Sequence, residues 1–289
     1  MSRKVARAEG AGRPERGFRA PFLVLCVAGA DSSGCAGIAA DLRTVAALGG
    51  HGMLSITAVT AQDARGVRAL SAISPRLVRA QMESCFGPEA SPVVKIGMLA
   101  NAAVVRAVSA VIRSRHPPGV VLDPVLQATS GRPLLDAVGR RALLDRLLPL
   151  ADLVTPNLPE AEALLGRRIR GVGGMVEAAR ALRELGAGAV LLKGGHRRGA
   201  EMVDIFTDGA TTFLLRAPRV ATPDTRGTGC VLSTAIACNL ARGLDLRDAV
   251  RHGKEFVTES IRGAYPLGRQ RGPVHPAAAA AALAKGARR

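Results

Sequence analysis

Short apolar runs alternate with segments of helical spacing along almost the whole chain. This alternation limits the available folds more than any single motif does. Residues 22–28 are a continuous apolar run, as expected for a strand buried on both faces. Residues 34–48 repeat at helical spacing and stop at Gly49 and Gly50. Strand-like 53–61, helical 75–86, strand-like 93–97 and helical 102–115 follow, then strand-like 120–123, cut off by Pro124. Helical 134–148, strand-like 153–155, helical 159–165 and 175–185, and strand-like 189–193 continue the series. Strands over 202–206 and 212–215 flank Asp208 and Gly209, a hairpin signal. Helices over 228–242 and 246–264 come last. Repeated β-α-β units with short connections predict an α/β chain with a mainly parallel sheet and helices on both faces. Ligands of such sheets bind beyond the carboxyl ends of the strands, so the loops there are where chemistry is expected.

The first apolar run admits a second reading. Basic residues precede it, and Ala28-Gly-Ala30 resembles a cleavage site, so the start of the chain imitates a signal peptide. Glu9, Glu15 and the shortness of the run favour a first β-strand. The longest uncharged stretch, 44–62, is interrupted at 49–52 by Gly-Gly-His-Gly, so no transmembrane helix is expected.

Charge says less than it first suggests. The 289 residues carry a formal net charge of +17, but ten of those charges fall in residues 1–20 and 260–289. Arg outnumbers Lys by 35 to 5, a skew that often follows genomic base composition. Aromatic residues are 2% of the chain, too few to supply stacking platforms for nucleic-acid bases. Hydrophobic residues make up 48%, which excludes global disorder. Five scattered Cys contain no C-x-x-C pair and five His are equally dispersed, which argues against a disulfide framework or a zinc site and fits a reducing cytoplasm. The expected organisation is a basic, disordered extension over 1–20, one domain over 21–275, and an Ala-rich basic tail over 276–289, helical or not, with nothing obvious to pack against.

Several loops carry candidate chemistry. Gly29 to Gly37, rich in small residues, permits close backbone approach to a ligand, or is simply a tight turn; Asp41 in the next helix reads as a solvated or capping acid. Gly227, Thr228 and Gly229 at a helix start would form an anion hole, with Cys230 in the first turn, where the helix dipole lowers a thiol pKa. The alternative there is an ordinary Gly-capped buried helix. Asn157 and Glu160 can hold a hydrated Mg²⁺ beside phosphates, or be a helix cap with its first-turn acid. Lys95, Lys193 and Lys254 stand out in an Arg-rich chain, the first two at strand ends, where a flexible point charge suits a polyphosphate. Gln62 ends a strand, and its amide could both donate to and accept from an aminopyrimidine edge. Neither a Walker loop nor G-x-G-x-x-G occurs.

Taken in order, these segments resemble one family. Val27-Ala-Gly-Ala-Asp-Ser-Ser-Gly-Cys-Ala-Gly-Ile-Ala-Ala-Asp-Leu-Arg-Thr44 is similar to the opening loop and helix of the hydroxymethylpyrimidine/phosphomethylpyrimidine kinases of thiamine biosynthesis, members of the ribokinase-like superfamily. Ile56-Thr-Ala-Val-Thr-Ala-Gln-Asp63, Lys95-Ile-Gly-Met98, Val121-Leu-Asp-Pro-Val125 and Thr155-Pro-Asn-Leu-Pro-Glu-Ala161 also match. Leu192-Lys-Gly-Gly-His196, Gly227-Thr-Gly-Cys230 and Gly272-Pro-Val-His275 complete the set, in family order over 22–275. The resemblance implies a three-layer αβα fold, ATP and Mg²⁺ as cofactors, a small pyrimidine as acceptor, and a cytoplasmic homodimer with neither nucleic acid nor membrane as partner. By the same resemblance, Gly29, Asp41, Gln62 and Val125 contact the pyrimidine. Asn157 and Glu160 serve Mg²⁺ and phosphate, and Lys193 and Lys254 lie toward ATP. Gly227, Thr228 and Gly229 form the anion hole, and Cys230 stands where most of the superfamily has an Asp base.

Three positions depart from the family pattern. Cys35 replaces a Gly, Thr129 replaces a Lys, and Arg226 replaces a His, adding charge beside the phosphate site. A pyridoxal kinase of the same fold is the nearest rival reading. A basic nucleic-acid-binding protein on a degenerate kinase fold is the rival from another class.

Overall fold

The computed structural model describes residues 20–286 except 64, 88–89, 129 and 196–198. The expectations for the 1–20 extension, for Thr129 and for His196 therefore lie outside the described residues, Ala20 apart, as do the last three residues of the tail.

The first apolar run is a core strand, β1 (Leu23–Asp31), flanked in parallel by β2 (His51–Asp63) and β4 (Val93–Ile96). Beyond β4 lie β5 (Val120–Leu122), β6 (Leu153–Val154) and β7 (Val190–Leu192), all parallel. The sheet ends on one side with the antiparallel β8 (Glu201–Thr207) and β9 (Thr212–Pro218), the expected hairpin. On the other side it ends with β3 (Gly66–Ala72), antiparallel to β2. Sequence reasoning missed β3, because Arg68 and Ser71 interrupt it and most of its residues are exposed at an edge. The order is β3-β2-β1-β4-β5-β6-β7-β8-β9.

Alternate residues of the central strands enter two separate cores, as a sheet covered on both faces requires. Leu25, Val27, Val94, Ile96 and Leu122 pack under α2 (Pro75–Glu83), α3 (Ala102–Arg115), α5 (Leu158–Leu165) and α6 (Gly171–Glu184). A shorter α4 (Ala137–Ala142) runs into one π-helical turn and a 3₁₀ turn, ending at Leu150. Val24, Cys26, Val121 and Leu191 pack under α1 (Gly37–Ala47), α7 (Thr228–Ala241), α8 (Leu246–Arg262) and α9 (Pro276–Gly286). The result is the three-layer αβα arrangement. Helix α7 is apolar nearly all round, and Val231 to Asn239 are all buried, as expected of a central helix.

The tail is helical and, against expectation, packed. Residues 276–286 form α9 against α8 and α1, with Pro276 and Ala279 buried. His275 Nδ1 accepts from Ala278 N at 3.2 Å and so caps it. Alanine side chains give a weak amphipathic signal, which hid this face. Among the described residues no helix is long and apolar enough to cross a membrane.

Candidate active site

Parallel strands deliver their following loops to one end of the sheet, and two cavities lie there. The smaller, about 190 Å³, is walled by Gly29, Asp31, Gln62, Met98, Val125, Glu160 and Cys230 among others. The larger, about 600 Å³, has Met202, Asp204, Val220, Leu232, Lys254 and Ile261 on its walls. Asn157, Lys193, Gly227 and Gly229 belong to both, so they form the partition between them.

Two loops interlock at this partition. Gly227, the N-cap of α7, has φ +81°, and a Cβ there would sit 2.2 Å from the Cys35 carbonyl oxygen. Gly37, at φ +58°, would put a Cβ 2.2 Å from the Gly29 carbonyl oxygen. Positive φ and close backbone approach both demand glycine at these two positions. Cys35, where a Gly was expected, is not at positive φ among the described residues; its side chain is buried and lies on neither cavity wall. The Cys35 side chain therefore does not protrude into either cavity. No side chain among the described residues caps α7, so its start suits an anion, although Thr228 N already donates to Thr225 O at 3.4 Å.

Lys193, Lys254 and Arg226 are each paired with an aspartate. Lys193 Nζ donates to Asp123 Oδ1 at 2.8 Å, which also accepts from Thr155 Oγ1 at 3.2 Å. Lys254 Nζ donates to Asp204 Oδ2 at 2.6 Å, while Asp204 Oδ1 accepts from Gly194 N. Arg226 Nη2 reaches Asp31 Oδ2 at 3.3 Å. Arg226 was expected to add net charge beside the phosphate site; Asp31 offsets that charge instead. Lys193 loses charge stability to burial, but Asp123 and Glu160 outweigh this and hold its pKa above the usual value.

Asp41 corrects two expectations at once. It is neither solvated nor on the acceptor wall: at 0% exposure it lies behind the smaller cavity. Both its oxygens accept from Lys95 Nζ at 2.8 Å, and Oδ1 also accepts from Thr234 Oγ1 at 2.8 Å. Lys95, expected as a flexible point charge, is likewise at 0% exposure and fixed by this pair. Burial lowers its pKa, but Asp41 raises it further, so the ammonium stays charged. The pair ties α1, β4 and α7 together behind the site.

Cys230 lines the smaller cavity as expected, but its acidity runs the other way. Burial pushes the thiol up to about 11; Lys95 opposes this, and Asp41 and Asp123 add to it. Cys230 is therefore a neutral thiol at physiological pH. Asn157 and Glu160 form a reciprocal capping box on α5: Glu160 N donates to Asn157 Oδ1 at 2.9 Å, and Asn157 N donates to Glu160 Oε2 at 2.8 Å. Burial raises the Glu160 carboxyl to about 7, with Lys193 opposing and Asp123 adding.

The structure thus gathers Gly29, Gln62, Val125, Asn157, Glu160, Lys193, Gly227, Gly229 and Cys230 around one cavity, and Thr228 and Lys254 around the other. Asp41 is not among them. Sequence reasoning assigned no role to Asp31, Asp123 or Asp204. A signal existed for two of them: an acid directly after Val120–Leu122, and another between Val203 and Ile205 in an apolar strand.

The chain is similar to known proteins. The phosphomethylpyrimidine kinase family model matches residues 31–275. A thiamine biosynthesis bifunctional protein of Geobacter sulfurreducens is 46% identical over 89% of the chain, which spans only 53% of that longer protein. A hydroxymethylpyrimidine/phosphomethylpyrimidine kinase of Rhizobium meliloti is 45% identical over 88% of the chain and 96% of its own length. Among solved structures, an ADP complex of Bacillus subtilis pyridoxal kinase superposes with a TM-score of 0.83 at 32% identity, over 90% of this chain and 98% of that one.

Proposed function

The chain belongs to the phosphomethylpyrimidine kinase family, and from that premise we propose that it is an ATP-dependent kinase of thiamine biosynthesis. It phosphorylates 4-amino-5-hydroxymethyl-2-methylpyrimidine and then the resulting monophosphate to the diphosphate. The observation that carries this reading is the pair of cavities meeting at the N-terminus of α7, one sized for a small ring and one for a nucleotide.

In this reading Gln62 pairs with the aminopyrimidine edge, between Gly29, Met98 and Val125. The nucleotide base lies among Val220, Leu232 and Ile261 of the larger cavity, and Lys254 stands on its wall. Gly227, Thr228 and Gly229 hold the transferring phosphoryl group through backbone N–H donors, with Lys193 beside it. Cys230 orients the acceptor hydroxyl as a neutral thiol and does not remove its proton in advance. Phosphoryl transfer tolerates this, since its loose transition state needs positioning and charge neutralisation more than a strong base.

Mg²⁺ would accompany ATP. The donor chemistry suits it, with the carboxylates of Glu160 and Asp123 and the Asn157 amide on one wall, beside where phosphates would lie. When bound, the ion neutralises phosphate charge. Glu160 would hold the ion as a carboxylate, having given up its proton, and Oε2 could still accept from Asn157 N. The enzyme is further proposed to act in the cytoplasm as a homodimer. Exposed Leu54, Val59 and Leu77 supply apolar surface for a partner copy, and light scattering of the purified chain tests the state.

The pyridoxal kinase likeness supports a second reading, because the fold is shared. A coupled ATPase assay with the pyrimidine alcohol, its monophosphate and pyridoxal separates the two. Both pyrimidine acceptors should support turnover; a larger kcat/KM for pyridoxal would overturn the first reading.

A further inference from the structure

The acceptor cavity of such a kinase must take a neutral alcohol in one step and its phosphate monoester in the next. In the second step a phosphate oxygen is the nucleophile, so the acceptor brings its own negative charge to the same wall. Three acidic residues line that cavity, Asp31, Asp123 and Glu160, and burial helps Glu160 keep its proton. Lys193 offsets Asp123, and Lys95 is taken up by Asp41. Among the described residues Asp31 has one charged partner, Arg226, from 195 residues away.

The Asp31 carboxylate is fixed by its own loop. Oδ1 accepts from Ser33 N at 2.9 Å and Ser33 Oγ at 2.7 Å, and Oδ2 accepts from Ala36 N at 3.1 Å. Arg226 is fixed as firmly from the other side. Its side chain is 11% exposed and also donates to Ser33 Oγ at 2.9 Å. Its backbone bridges to the 272–274 segment, with Arg226 N donating to Gly272 O and Val274 N to Arg226 O. The next residue, Gly227, begins the anion hole. A guanidinium keeps its charge at every working pH, whereas the His expected here from the family pattern would be charged only in part.

We infer that Arg226 is a specificity-determining positioning residue for the second phosphorylation: it cancels the Asp31 charge on the acceptor wall, so an already phosphorylated acceptor is not repelled. Arg226 itself lies off both cavity walls, so it acts through Asp31 and not by contact with substrate. The inference rests on the pyrimidine kinase reading.

The test is a set of variants assayed with both pyrimidine acceptors. Arg226→Gln should raise KM for the monophosphate roughly tenfold, and shift the alcohol far less, because only the anion meets the uncovered carboxylate. Arg226→Lys should keep most of the wild-type ratio. Adding Asp31→Asn to Arg226→Gln should bring the monophosphate KM back toward wild type. Equal losses on both acceptors would reduce the pair to a structural latch and overturn the inference. Failure of Asp31→Asn to rescue would also overturn it, in favour of direct contact between Arg226 and the phosphate. A wild-type chain that phosphorylates neither pyrimidine would instead sink the functional reading underneath, and the two failures are thereby distinct.

Discussion

At the scale of single residues, Cys230 shows how burial decides a side chain's chemistry. Its place in the first turn of α7 suggested an acidified thiol, yet its surroundings push it up to about 11. A pH–rate profile between pH 6 and 9 should therefore contain no limb that disappears on Cys230→Ser. Replacing the thiol with a carboxylate would add a charge to a wall that already holds Asp31, Asp123 and Glu160. Cys230→Asp should accordingly lose more of the second phosphorylation than of the first, by about an order of magnitude in kcat/KM. Equal loss in both steps would sink this idea. Asp41 teaches a related lesson. Spacing placed it on α1, but its partners Lys95 and Thr234 lie 54 and 193 residues away, and no local pattern announces a buried ion pair. Lys95→Met should cost about 3–5 kcal/mol in denaturant unfolding, since it leaves a buried carboxylate without its counter-charge. A loss under 1 kcal/mol would mean that water reaches Asp41.

At the scale of elements, the start of α5 combines a cap with a suspended ligand site. The capping box is the bland reading of Asn157 and Glu160, and it is the one this conformation contains. Burial of Glu160 has a signed consequence. Its carboxyl is raised from 4.5 to about 7, so the folded chain binds this proton more tightly than the unfolded chain. Stability from this group is therefore present below pH 4.5, falls as pH rises through the window to about 7, and stays lost above it. Glu160→Gln keeps an acceptor for Asn157 N and removes the titration. It should raise stability at pH 8 by about 1–3 kcal/mol, show no such gain at pH 4, and abolish kinase activity. An equal shift in melting temperature at both pH values would mean that the gain is not electrostatic. The strand-to-loop-to-helix punctuation that located this site was legible because Pro and Gly fall where strands end. Edge strand β3 was not legible, because an exposed antiparallel strand needs neither alternation nor a continuous apolar run.

At the scale of the whole molecule, alternating apolar segments were enough to predict the parallel sheet, its two helical layers and the end at which loops converge. That inference works because a βαβ crossover has one favoured hand and leaves few alternatives. It fails where a segment's packing face is made of methyl groups. Helix α9 is such a case: its alanines read as a tail, yet Pro276 and Ala279 are buried, and Gly263 at the end of α8 comes so close that a Cβ there would lie 2.7 Å from Ala278 Cβ. Tyr265 meets the capping His275 edge-on at 5.2 Å, so the cap is itself held by the preceding turn. The same segment positions the backbone of Arg226 through Gly272 and Val274, which links the end of the chain to the anion hole. Truncation after His275 should therefore cost about 1–2 kcal/mol through exposed apolar surface on α1 and α8. In a chain of this size that is roughly 3–6 °C of melting temperature. Because 272–275 stays in place, the ratio of activity on the two pyrimidine acceptors should change little. A fall in the ratio without a fall in melting temperature would reverse the assignment, making α9 a part of the site and not of the scaffold.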